Sequence, residues 1–137
     1  MTAPKSHEPE LTAGVVRRTE DVERKAVAGA RATEIQILVG PSDGAPNFAM
    51  RRFIMGAEGG MPLHTNRVEH EQYVLKGRAT VGIGAETFQV TAGDVLYIPG
   101  GAPHFYRVVE APFEFLCMIP NAKDQVEILD ETSHGRP

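Results

Sequence analysis

From residue 32 onward the chain alternates between apolar and polar positions in short runs. Over 33–39, Ile35, Ile37 and Val39 occupy every second position, the spacing that puts side chains on one face of a strand. The Gly- and Pro-containing loop 40–46 follows, then a run over 48–55 stopped by Gly56 and the pair Gly59-Gly60. A third run, 72–75, ends at Gly77, and the runs 79–83 and 87–90 flank Gly84-Ala85-Glu86 as the arms of a hairpin would. Val95–Ile98 lies between Gly93-Asp94 and Pro99-Gly100-Gly101, and 105–109 and 113–119 complete the series. Short strands punctuated this often by Gly and Pro, with no sustained helical period, predict an all-β sandwich or barrel over 32–120.

The flanks differ in texture. Residues 1–13 are polar and rich in Pro and Glu, and read as a flexible tail. Residues 14–31 carry the mixed-sign run Arg17-Arg18-Thr19-Glu20-Asp21-Val22-Glu23-Arg24-Lys25, which suits a helix or an extended arm on the barrel equally well and reads as a solvated face. Residues 121–137 form a polar tail expected to lie outside the barrel. The domain plan is therefore an N-terminal arm 1–31, a barrel 32–120 and a C-terminal tail 121–137.

Composition narrows the function classes. The single cysteine, Cys117, rules out an intrachain disulfide and a thiolate metal cluster. Its place in the apolar run 113–119 marks it as a small buried hydrophobe. A net charge of −4 argues against nucleic acid as a partner. No apolar run nears the ~20 residues that cross a bilayer, so no membrane partner is expected. The N-terminus lacks the apolar stretch of a secretory leader, and a cytoplasmic location is the expectation.

The chemistry concentrates in the histidines. His7 and His134 lie in the tails, whereas His64, His70 and His104 fall in two short segments beside turns. On a strand, His64 and Asn66 point the same way, and His70 opens the next strand after a short turn. His104 opens a strand after Pro99 and the glycines, placed to approach from the opposite side of a barrel. Neutral imidazole is the commonest protein ligand for a transition metal. Alternation from His70 puts Gln72 and Val74 inside; alternation from His104 does the same for Tyr106 and Val108. Gln72 and Tyr106 are thus the candidates for contact with a substrate or with the ligands. Glu71 points outward, towards a surface or interface ion pair. Arg51 and Arg52 read as solvated, with binding of an anionic substrate as the alternative.

These two segments resemble the two motifs of the cupin family. The first motif has the form G-x5-H-x-H-x3-E-x6-G. His64 fills its first His slot, Asn66 its second and His70 its acidic slot, with Gly77 at the correct distance and Gly59 one residue off. The second has the form G-x5-P-x-G-x2-H-x3-N, matched by Gly93, Pro99, Gly101 and His104, with Val108 in place of the final Asn. The resemblance implies a cupin double-stranded β-helix, a jelly-roll barrel, commonly homodimeric, with one divalent transition metal (Zn, Fe, Mn or Ni) on His64, His70 and His104. Asn66 would either coordinate or hold a metal-bound water. Glu71 is the alternative ligand to His70, which would give a set of two His and one carboxylate.

Two functions follow as expectations. The first is a metal-dependent enzyme acting on a small oxygen-rich molecule, of the oxygenase or the isomerase/lyase class. The second is a non-catalytic small-molecule binding or sensor cupin, since the fold also serves as a simple ligand cup. No residue stands out as a catalytic base, because no carboxylate is expected on the inner face.

Overall fold

The glycines that punctuate the sequence do not all end strands. In a computed structural model that describes residues 13–129, the elements are β1 (Lys25–Ala26), β2 (Arg31–Val39), β3 (Phe48–Asn66), β4 (His70–Ile83), β5 (Glu86–Thr91), β6 (Val95–Ile98), β7 (His104–Pro120) and β8 (Val126–Ile128). The all-β expectation holds, but β3, β4 and β7 run through the expected breaks at Gly56–Gly60, Gly77 and Pro112. Segments 1–12 and 130–137, with His7 and His134, lie outside the described residues.

The merged strands turn corners. The β3–β7 register shifts between Met55 and Gly60, and the β4–β7 register shifts between Val74 and Ala79. Such shifts mark bulges, which bend a strand without ending it. At one corner Gly77 has φ +85, and a Cβ there would lie 2.6 Å from the carbonyl oxygen of Glu110. Only glycine meets both demands at low cost.

Each long strand therefore contributes to two sheets. The first runs β1–β2–β3(48–55)–β7(113–120)–β4(70–76)–β6, and the second runs β8–β3(60–66)–β7(104–110)–β4(78–83)–β5. All pairings are antiparallel. The sheets enclose an apolar core: Phe53, Met55, Val74, Phe113 and Phe115 from the first, Ala79, Val81 and Tyr106 from the second. Tyr106 stacks on Phe115 across the gap, with ring centroids 5.1 Å apart, an offset geometry that adds to the area buried.

Both flanks are more structured than their composition suggests. The charged run is extended apart from one 3-10 turn, Thr19–Asp21. Buried Gln36 donates to the carbonyls of Thr19 and Val22, and Arg17 pairs with Asp43 at 2.6 Å. At the other end, 126–128 pairs with β3 as β8, so the first residues of the expected outer tail belong to the second sheet. The polar character that hides these segments in the sequence reflects hydrogen bonding to the barrel edge.

Gly77→Ala tests the corner. Strain at a left-handed position together with a backbone clash should remove about 2–4 kcal/mol of stability. Urea unfolding of the variant beside wild type measures it, and a loss below about 0.5 kcal/mol, the range of an ordinary surface change, would contradict this account.

Candidate functional site

The site lies where the ends of β3, β4 and β7 meet at the mouth between the sheets. Antiparallel pairing of β3 with β7 sets His64 directly opposite His104 on the second sheet. His70 comes from the first sheet, where it pairs with Ile98 of β6. A backbone clamp joins the segments: Gly101 donates its N–H to the carbonyl oxygen of Asn66 at 2.7 Å. A side chain at neighbouring Gly100 would crowd the carbonyl oxygen of Arg67, 2.5 Å from the Cβ position. The turn before His104 is thus pressed onto the turn after Asn66.

The three rings are buried and close. His64 and His104 have centroids 4.1 Å apart, and His70 stands edge-on to His104 at 5.6 Å. The Nδ1 of His64 lies 2.8 Å from the carbonyl oxygen of Pro62, and that of His104 lies 2.9 Å from the carbonyl oxygen of Ala102. A carbonyl only accepts, so in both rings Nδ1 carries the proton and Nε2 presents a lone pair. The Nε2 of His104 is buried with no protein partner, as is the Nδ1 of His70. The Nε2 of His70 is 3.2 Å from Oδ1 of Asn66, to which it donates.

Burial keeps all three imidazoles neutral. It pushes the pKa of His64 and of His70 down, and that of His104 to about 3, where the charges of His64 and His70 would oppose a third. Three neutral rings with lone pairs held out of water are the donor set of a divalent transition metal. As placed, however, no three His, Cys, Asp or Glu side chains among the described residues form a metal-ligating group. The residues fit such an ion in kind: two rings are locked with Nε2 exposed to the site, and Asn66 contributes a neutral carbonyl oxygen.

Behind Asn66 stands a residue that sequence reasoning missed. The Nδ2 of Asn66 donates to Oδ2 of Asp124 at 2.9 Å, which turns Oδ1 of Asn66 towards His70. The other oxygen of Asp124 accepts the N–H groups of Arg67 at 2.8 Å and Val68 at 3.2 Å. Burial alone would raise the Asp124 pKa, but these hydrogen bonds outweigh it and leave the carboxyl below its ordinary range. Nothing local announces this role, because Asp124 lies in the polar segment after the barrel, 58 positions from Asn66.

Below the histidines the cavity, of about 240 Å³, passes between apolar walls that include Phe53, Met61 and Phe115. Gln72 and Tyr106 face it as alternation predicts, and they join across the two sheets: Nε2 of Gln72 donates to the Tyr106 hydroxyl at 2.7 Å. Complete burial raises the Tyr106 pKa well above that of a free phenol, so its O–H stays protonated. Cys117 is buried as expected, yet it is more than a hydrophobe, since its Sγ lies 3.4 Å from Nε2 of Gln72 and 3.0 Å from Nη2 of Arg51.

The two arginines depart from the solvated reading. Arg51 lines the cavity, and Arg52 forms a half-buried pair with Glu114 at 2.6 Å while donating to Gln36. Strand alternation carried the signal, since Arg51 and Phe53 share a face. Glu71 stands outside the cavity, as alternation from His70 implies, with its pKa raised chiefly by a hydrogen bond with Glu69.

The family profile of the cupin domain, Cupin_2, matches residues 51–119. The polyketide cyclase RemF from Streptomyces resistomycificus is similar in structure, with a TM-score of 0.80 and 28% identity over 86% of this chain and 87% of that one. A cupin-2 domain protein of Rhodospirillum rubrum superposes with a TM-score of 0.73 and 25% identity over 91% of this chain and 86% of that one. An uncharacterised protein of Methanocaldococcus jannaschii is 33% identical over 72 residues, 50% of this chain. That match spans 58% of the archaeal protein's length, under two thirds of it.

Asp124→Ala tests the support behind Asn66. Removing a carboxylate that accepts four N–H groups, those of Asn66, Arg67, Val68 and Gln125, should cost about 1.5–3 kcal/mol. Asp124→Asn, which keeps one acceptor oxygen, should lose less. Thermal unfolding of both variants reads the difference, and equal stability of Asp124→Ala and wild type would contradict the assignment.

Proposed function

The chain belongs to the cupin family, and from that premise we propose that it is a metal-dependent enzyme acting on a small oxygen-rich molecule. The observation that carries the reading is the trio of buried neutral imidazoles, two of them locked by backbone carbonyls so that Nε2 faces the site. Buried acceptors without a donor are costly unless something electropositive satisfies them. His64, His70 and His104 would hold a divalent transition ion, with Asn66 as a weak oxygen ligand or as the holder of a water. Such an ion polarises a carbonyl and acidifies a bound water.

The chain's own residues then define the rest. The protonated Tyr106 hydroxyl, held by Gln72, is a hydrogen-bond donor for a substrate oxygen in the cup. The apolar walls exclude water and strengthen every polar contact inside. Similarity to a polyketide cyclase supports the isomerase/lyase branch, in which carbon–oxygen groups are polarised, over the oxygenase branch. The second reading, a ligand cup without turnover, is favoured by one observation: among the described residues no Asp or Glu lines the cavity to act as a general base.

Metal content by mass spectrometry of wild type, His104→Ala and Asn66→Ala separates these readings. Wild type should retain close to one equivalent of a transition metal, with His104→Ala losing at least about 10-fold in affinity and Asn66→Ala losing less. A wild-type protein that binds no Zn, Mn, Fe or Ni after anaerobic reconstitution would remove the metal-dependent reading and leave the cup.

We also propose that two copies associate through the outer face of the first sheet. Tyr73 and Leu75 of β4 and Val95 and Tyr97 of the short edge strand β6 form an apolar stripe there, with Val95 75% exposed. Contiguous exposed apolar surface of this kind marks an interface. Sedimentation should give twice the chain mass for wild type and a single chain mass for Tyr97→Asp; a monomeric wild type would overturn the proposal.

A further inference from the structure

The cavity is lined by a cation that no carboxylate among the described residues neutralises. Neighbouring residues make the contrast. Arg52 points to the outer face and is paired with Glu114 at 2.6 Å. Arg51 points inward, and among the described residues no carboxylate lies within ion-pair distance of it. Its Nη2 donates to Cys117 Sγ at 3.0 Å, its Nε is buried without a partner, and its Cζ sits 5.0 Å from the centre of the Phe53 ring. These contacts set the guanidinium beside the aromatic wall, and among the described residues no acceptor takes a hydrogen bond from Nη1.

A half-buried cation without a counterion is unfavourable by itself. Arginine is the side chain suited to planar anions, because its fork matches a carboxylate. The neighbouring walls, Phe53 and Phe115 stacked 5.1 Å apart with Met61 beside the histidines, are apolar and aromatic. We propose that Arg51 forms an anion subsite for the carboxylate of a planar, ring-bearing ligand whose body packs against this apolar lining of the cavity. The inference deepens the reading above by naming a ligand class for the same cavity. The histidines grip the oxygens at one end of the ligand, and Arg51 sets which end of the molecule faces away from them.

The test uses metal-stripped full-length protein, so that it stands apart from the question of metal binding. Calorimetric titrations with benzoate and with its neutral counterpart benzamide are compared in wild type, Arg51→Gln, Arg51→Lys and Arg107→Gln, each checked for fold by circular dichroism. Wild type should bind benzoate at least about 10-fold more tightly than benzamide. Arg51→Gln should bring the ratio to about one, whereas Arg51→Lys, which keeps the charge and guards against a folding defect in the first variant, should retain part of it. Arg107→Gln, which removes an exposed cation outside the cavity, should keep the wild-type ratio. A ratio near one in wild type, no saturable benzoate binding up to about 10 mM, or a preference that survives in Arg51→Gln would each overturn the subsite. Loss of metal binding alone would leave it standing.

Discussion

The antiparallel pairing of β3 with β7 is the constraint on which the rest of the molecule depends. It extends from Phe48 opposite Pro120 to His64 opposite His104, through a corner that carries both strands from one sheet to the other. Because the pairing resumes beyond its register shifts with His64 opposite His104, the position of one histidine determines the position of the other. Because both strands bend, residues of the first sheet such as Arg51 and Phe115 share a cavity with residues of the second such as Tyr106. A barrel made of independent short strands would need separate contacts to bring these groups together.

Electrostatics inside the cup follow from that geometry. The barrel supplies apolar walls, and each polar group within them is tied to a specific partner or conspicuously lacks one. Nδ1 of His64 and of His104 is tied to a carbonyl one turn back, Asn66 to Asp124, and Gln72 to Tyr106. The atoms left over are Nε2 of His104, Nδ1 of His70, Nε of Arg51 and Oε1 of Gln72. Buried polar atoms without partners are uncommon in folded proteins, and four of them line one cavity. The histidine cluster presents lone pairs suited to a cation, while the arginine on the same cavity is suited to an anion. A ligand that chelates at one end and carries negative charge at the other satisfies both.

Support for the site comes partly from outside the barrel. The stretch after Pro120 crosses the mouth, places Asp124 behind Asn66 and then adds β8 to the edge of β3. This explains how an Asn at a position where the motif carries a ligand can be held in one orientation. An amide is free to flip unless both its ends are engaged, and here Asp124 takes the NH2 group while His70 takes the oxygen.

Alternation and turn residues determined the strand content, and the spacing of His64, Asn66, His70 and His104 pointed to one site, because both signals are local. Alternation from the two motif histidines likewise placed Gln72 and Tyr106 indoors and Glu71 outdoors. The lengths of β3, β4 and β7 were not legible, since a glycine at a bulge and a glycine at a turn look the same in one dimension. Register across the sheets alone distinguishes them, and it is a non-local property. Arg51 and Asp124 show the same limit. A charged residue reads as solvated until the fold shows what faces it, and the partners of these two lie 66 and 58 positions away in the chain. The sequence by itself determined which side chains could do chemistry; the tertiary structure decided which of them meet, because burial and pairing depend on how distant strands close around one cavity.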